Sequence, residues 1–312
     1  MNLRMKPSFA YVFIIIGASF WGVTGLFVQN LYYFGFTPWQ VVTVRLTIAS
    51  LIMLFMLVAM GRKYLKIKMK DLPYFIGLGV ISIALFNWCY FAVMERASLS
   101  VAVIFIYTSP AFTAIIARFL YKEKLTLQKS VAVFLTIIGC GLVIGFFPIG
   151  GISITGVTII LGLLSGLFCS SYSIIGKHMS GLYHPLTITV YSMICGSLFM
   201  IPTSSIWSQR EVLMIGEVWI YILGISIIST IFAYILFTIG LSYVESSKAS
   251  ILSSVELVVS VLIGLLVFSE IVTGWQVTGF ILVIVSVVLT VLSFGKTRNY
   301  KGIQTKRKLK AF

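Results

Sequence analysis

Apolar residues in this chain come in unbroken runs of about twenty, too long for strands and without the alternation of a half-buried sheet. Ten such runs stand at about residues 9–28, 39–60, 73–94, 98–120, 129–147, 153–175, 185–203, 217–240, 248–268 and 275–294. Each matches the length a helix needs to cross the hydrocarbon of a bilayer. The pattern therefore predicts an all-α integral membrane protein with ten transmembrane helices. Sliding residues 97–123 forward by 147 positions lays Ala102 on Ala249, Ser109 on Glu256, Glu123 on Glu270 and Thr126 on Thr273. The chain reads as two copies of one five-helix unit, over 9–147 and 153–294, between a short tail (1–8) and a longer one (295–312). An odd number of helices per copy turns the second copy upside down relative to the first, the inverted-repeat plan of many transporters.

Each copy carries a small or polar stripe at steps of three and four, which places it on one helix face. The stripes are Ala102, Ile106, Ser109, Thr113 and Ala117, and Ala249, Ser253, Glu256, Ser260 and Gly264. Lipid does not select such a face, so both stripes are expected to look inward, toward partner helices or a cavity. The small-xxx-small pairs Gly141 to Gly145 and Gly162 to Gly166 suit close helix packing, and Thr273 with Gln276 fits a capping box opening the tenth span.

Composition agrees with this pattern: 59% of the 312 residues are hydrophobic, 10% are charged, and the mean hydropathy is +1.08. The net charge of +15 changes meaning once the charges are located. Nineteen Lys and Arg side chains fall on one side of a ten-span arrangement, in both tails and in loops such as Lys66 to Lys70 and Lys122 to Lys129. Arg96 and Arg210 fall on the other side, and Arg45 and Arg118 lie within spans. By the positive-inside rule both termini are cytoplasmic, in an inner (plasma) membrane. The basic tail then meets anionic lipid headgroups rather than nucleic acid. Arg4 and Lys6 ahead of the first run resemble a signal peptide, but the run is too long for one and is expected to stay as the first helix.

Candidate chemistry is sparse. Glu256 lies about 12 Å into the ninth span at 1.5 Å rise per residue, and an acid at that depth needs a compensating partner or a function. It is either a proton or substrate-amine site, or an acid tying the ninth span to a neighbour. Arg45, about seven residues into the second span, cannot escape by neutralising. It binds an anionic substrate group, pairs with Glu256, or serves structure near the outer headgroups. Pro110, inside the fourth span, is expected to loosen the backbone and free a carbonyl near Ile106. Around the same depth lie Trp21, Thr24, Asn87, Tyr90, Tyr107, Ser109, Tyr172, Ser173, Tyr234 and Ser253. Together they form an aromatic and hydroxyl lining suited to a small organic molecule. Glu123 and Glu270 read as loop hydrogen-bonding acids. Cys89, Cys140, Cys169 and Cys195 read as packing residues, and His178 and His184 do not suggest a metal site. No enzyme signature is present, and no cofactor is expected.

Several of these residues are shared with one family. Trp21-Gly22, Pro38 followed by Arg45, Ala102 through Ser109-Pro110 to Glu123, and Ala249 to Leu252 through Glu256 to Glu270 resemble the drug/metabolite transporter superfamily. The chain is similar to its ten-helix EamA-type permeases over about residues 9–294. The resemblance implies a secondary transporter, typically exporting amino acids, other metabolites or toxic organic molecules from a bacterial cytoplasm. One position departs: members usually carry Pro after the acid of the ninth span, whereas Glu256 precedes Leu257. The expected function is outward movement of a small amphipathic solute by alternating access, with protons as a candidate coupling ion and a monomer or homodimer as the working unit. A nucleotide-sugar or lipid-precursor carrier, and a sensor that moves no solute, are the alternatives.

Overall fold

The structure, a computed structural model, describes residues 7–61, 64–96, 102, 105–123, 125–143, 155–267 and 273–292, and these are helical apart from their connections. We number the α-helices α1 (Pro7–Gly22), α2 (Thr24–Tyr33), α3 (Pro38–Met60), α4 (Leu72–Ile76), α5 (Phe86–Arg96), α6 (Ser109–Leu120) and α7 (Leu127–Val143). There follow α8 (Gly156–Met179), α9 (Pro185–Thr203), α10 (Gly216–Ser226), α11 (Ala233–Tyr243), α12 (Ser246–Leu252), α13 (Val255–Val267) and α14 (Gly274–Leu292). Wider π-helical turns, Gly77–Leu85 and Ile227–Phe232, join α4 to α5 and α10 to α11. Among the described residues six continuous stretches are long and apolar enough to cross a membrane: Phe9–Tyr33, Pro38–Ala59, Met69–Val93, Gly156–Met179, Pro185–Thr203 and Gly216–Tyr243. Ser109–Leu120, Leu127–Leu142 and Gly274–Thr290 are shorter apolar helices.

Local chemistry starts these helices where they start. Thr37 caps α3 with its hydroxyl on the Gln40 N–H, the Gln40 side chain returns to the Thr37 N–H at 2.9 Å, and Pro38 presets the first turn. Thr155 caps α8. Thr273 and Gln276 form the expected box ahead of α14, with the Thr273 N–H donating to Gln276 Oε1 at 2.7 Å.

Packing is inverted relative to a water-soluble protein. Large apolar side chains such as Phe55 and Phe119 point outward, 77% and 78% exposed, while Thr43, Ser82, Thr113, Thr136, Ser165, Ser192 and Ser226 are buried. That distribution suits a lipid exterior and an interior held by close contact and hydroxyl bonds. The Thr136 hydroxyl bonds Ser286 at 2.9 Å where α7 lies along α14. Elsewhere α1 packs on α11 and α13, α8 on α5 and α6, and α3 on α9. A Cβ on Gly166 would meet the Thr108 hydroxyl at 2.2 Å, so the glycine is what lets α8 seat against the start of α6. The first stripe is inward as expected, with Ala102, Ser109, Thr113 and Ala117 buried. The second turns outward halfway: Ala249 is buried and Ser253 and Glu256 partly so, but Ser260 is exposed.

Element ends differ from the sequence-based ranges in places. The first run breaks at Val23 and resumes to Tyr33, and the sixth extends to Met179. Gly145, Glu270 and the basic tail from residue 293 lie outside the described residues, and Gly264 falls in α13.

At one end of the bundle a set of charges is buried between connections. Glu123 accepts the Ser246 N–H (3.1 Å) and hydroxyl (2.9 Å) on Oε1, and the Ser247 hydroxyl (2.5 Å) on Oε2. Lys129 Nζ stands 3.5 Å from Glu123 and 2.6 Å from Glu245, and Lys248 lies 3.9 Å from Glu245. Lys177 Nζ donates to the carbonyls of Leu241 (2.8 Å), Ser242 (3.3 Å) and Val244.

Candidate functional site

Two helices that pack against each other are interrupted at corresponding points. Ahead of α6 the chain turns at Tyr107 and Thr108, and between α12 and α13 it turns at Ser253 and Ser254. Pro110 does not sit mid-helix. It occupies the first turn of α6, where its missing N–H costs nothing, and the N–H groups of Ala111 and Phe112 take the Thr108 carbonyl. The break in the ninth run forms without proline, through residues that bond locally: the Ser253 hydroxyl donates to the Ser250 carbonyl at 2.8 Å and the Glu256 N–H to the Ser253 carbonyl at 3.0 Å. Glu256 consequently falls in the first turn of α13, the favourable end of a helix for an anion. The two interrupted helices touch through Thr113, whose hydroxyl donates to Ser250 at 3.3 Å.

Aromatic side chains gather beside these turns. Tyr234 lies edge-on to Trp21 (5.0 Å between ring centres) and to Tyr172 (5.2 Å), and the Tyr172 hydroxyl bonds Thr238 at 3.2 Å. Gly22 brings α1 against α13: a Cβ there would stand 2.7 Å from the Glu256 carbonyl oxygen. The Glu256 side chain is partly buried and within electrostatic reach of Arg45, Tyr90, Tyr107, Cys169 and Tyr234. Arg45 is likewise within reach of Tyr32 and Tyr234. The two opposite charges do not form an ion pair within 4 Å among the described residues, and Arg45 Nε is buried without an acceptor.

Most of the sequence candidates are thus brought together: Trp21, Tyr172 and Tyr234 by ring contact, Tyr90, Tyr107, Arg45 and Glu256 by proximity of charge, and Ser109, Pro110 and Ser253 by the two turns. The Asn87 amide donates to the Ile83 carbonyl of its own helix at 2.6 Å, and Ser173 is buried within α8. Cys169, read from sequence as packing, joins the group, within electrostatic reach of Glu256. Its position three residues before Tyr172, on the same face of α8, is the signal that places it there.

The EamA-like transporter family model matches residues 8–145 and again 156–292. The chain belongs to the EamA-like transporter family. As a family member it is a multi-pass membrane transporter of small molecules rather than an enzyme. Among its relatives, an uncharacterized transporter of Archaeoglobus fulgidus is 25% identical over 90% of this chain and 98% of its own length. The uncharacterized transporter YyaM of Bacillus subtilis is 28% identical over 91% and 93%. The pseudopaline exporter CntI of Pseudomonas aeruginosa is 23% identical over 70% and 74%. A protein solved by crystallography shares the fold, with a TM-score of 0.77 over 91% of this EamA-like chain and 97% of that one, at 16% identity.

Proposed function

We propose that this EamA-like protein is a secondary transporter that exports a small amphipathic solute, a metabolite, amino acid or drug-like molecule, by alternating access. Its site lies between two inverted five-helix halves, residues 9–147 and 153–294, in an inner membrane with both termini cytoplasmic. The observation that carries the reading is the meeting of two interrupted helices around Glu256, Arg45 and the Trp21, Tyr172 and Tyr234 rings. Among the described residues neither charge forms an ion pair and Arg45 Nε lacks an acceptor, which leaves them to a solute's polar end while the rings take its apolar body.

Several correspondences support the two-half plan. One family model matches both halves, and the 147-residue offset lays Tyr107 of one turn on Ser254 of the other. The same offset carries the first π-segment onto 224–232, over the second at 227–232. Contacts repeat as well: α1 packs on α11 and α13 as α8 packs on α5 and α6. Outward movement is supported by the exporter among the relatives.

The test is a thermal-shift screen of the purified protein against amino acids, nucleosides, polyamines and lipophilic cations, with Glu256→Gln alongside, followed by flux in proteoliposomes. A ligand at ten times its Kd stabilises by about 1.4 kcal/mol. A hit that is transported, and whose binding and pH-dependent flux are lost in Glu256→Gln, is the expected outcome. Transport with unchanged pH dependence in Glu256→Gln removes the acid from the coupling step. A stabilising ligand that is never transported favours a sensor.

A further inference from the structure

We infer that the buried charge cluster around Glu123 is a latch that holds the cytoplasmic end of the transporter shut, and that the latched form is its resting state. The inference rests on the two-half reading above.

The cluster joins parts that alternating access has to separate. Glu123 lies between α6 and α7 and Lys129 in the first turn of α7, in the first half; Glu245 precedes α12 and Ser246 to Lys248 form its first turn, in the second. Lys122 takes a left-handed conformation (φ 54°) after α6, which turns the chain so that the Glu123 N–H reaches back to the Ala117 carbonyl and its side chain enters the interior. There the carboxylate accepts the first N–H of α12, so a residue of one half serves as the N-terminal anion of a helix in the other. Lys129 lies between Glu123 and Glu245, its contact with the latter an ion pair without the alignment of a hydrogen bond. From α8, Lys177 closes the carbonyls at the end of α11. Glu123, Lys129, Ser246, Ser247 and Lys248 are all buried. Removing one charge leaves its partner uncompensated away from water, so the set is disfavoured from loosening piecemeal.

Among the described residues the latch is seen at one end; Glu270, the counterpart of Glu123, lies outside them. Under the 147-residue offset its cations Lys129, Lys177 and Lys248 correspond to Gln276, Asn30 and Val101, and Glu245 corresponds to Ser98. Gln276 bonds the Thr273 N–H of its own cap, and Asn30 bonds the Leu26 carbonyl of its own helix at 2.8 Å. The cations of the tie are therefore not repeated by the sequence at the other end. The local role read for Glu123 from sequence becomes a cross-half one.

The experiment uses full-length protein with its four native cysteines replaced by serine and a single reporter, Ser253→Cys, partly exposed at the turn that follows α12 inward of the latch. It is labelled with a membrane-impermeant maleimide in inside-out and right-side-out vesicles. In the latched parent the reporter should label from the extracellular face and be protected from the cytoplasmic one. Lys129→Glu and Glu245→Lys, each alone, should raise the cytoplasmic labelling rate at least about tenfold. The double exchange restores the shortest pair, 129 with 245, while it sets like charges against Glu123 and Lys248, and should return the rate part of the way toward the parent. Single and double variants that leave the cytoplasmic rate unchanged overturn the latch while leaving the two-half reading intact. Equal labelling of the parent from both faces overturns the two-half reading itself. If the single variants misfold, protection in the folded double exchange supports the latch, and a double exchange open to the cytoplasm refutes it.

Discussion

Arginine keeps its charge at any working pH, so Arg45, whose Nε is buried without an acceptor among the described residues, has a donor open to a group from elsewhere. In the proposed cycle that group is the solute. Glu256 is placed by its neighbour Gly22 as much as by its own helix, because the glycine admits the Glu256 carbonyl at a distance no side chain tolerates. Gly22→Ala should displace α13 and cost about 1–3 kcal/mol by overpacking. It would be read as a lower unfolding temperature in detergent, and an unchanged one would mean that the contact is loose. Glu256, Arg45 and the aromatic candidates were legible in sequence because charge and rings are conspicuous in an apolar run. That Arg45 and Glu256 do not pair was not legible, since pairing depends on where α3 and α13 stand relative to each other. Asn87 looked equally polar, yet its amide is taken up by its own helix.

At the scale of elements, the interruptions matter more than the helices. Proline in a helix interior costs about 3 kcal/mol, so if Pro110 imposed the turn at Tyr107 and Thr108, Pro110→Ala would stabilise by that order and straighten the helix. Placed in the first turn of α6, it should instead change stability by less than about 1 kcal/mol and leave ligand binding intact. Thermal unfolding with and without ligand decides between the two. The ten apolar runs follow from counting hydrophobic residues, and six long spans with three shorter apolar helices among the described residues match nine of them in position. The breaks at Val23 and at Ser253-Ser254, and the two π-segments, do not follow from such counting. They are made by packing, as where Gly22 meets α13, and by serine hydroxyls that bond backbone in a helix as readily as in a turn.

For the whole molecule, orientation is the first matter to establish. Lys122 and Arg210 are exposed at what the charge bias assigns to opposite faces. In a cysteine-free background, Lys122→Cys should label only from the cytoplasm and Arg210→Cys only from outside, and labelling of both from one face would refute the arrangement. The same bias explains why the buried cluster escaped notice in sequence: Glu123, Lys129, Lys177 and Lys248 sit where basic loop residues are expected, and burial leaves no mark on composition. A tie whose cations belong to one end alone has a kinetic consequence. For passive exchange it makes the carrier asymmetric, since an empty site spends most of its time facing outward. External solute then meets a ready site and half-saturates uptake at low concentration. Internal solute must wait for the rarer form and half-saturates efflux at higher concentration, with maximal rates differing by the same factor so that no net work is done at equilibrium.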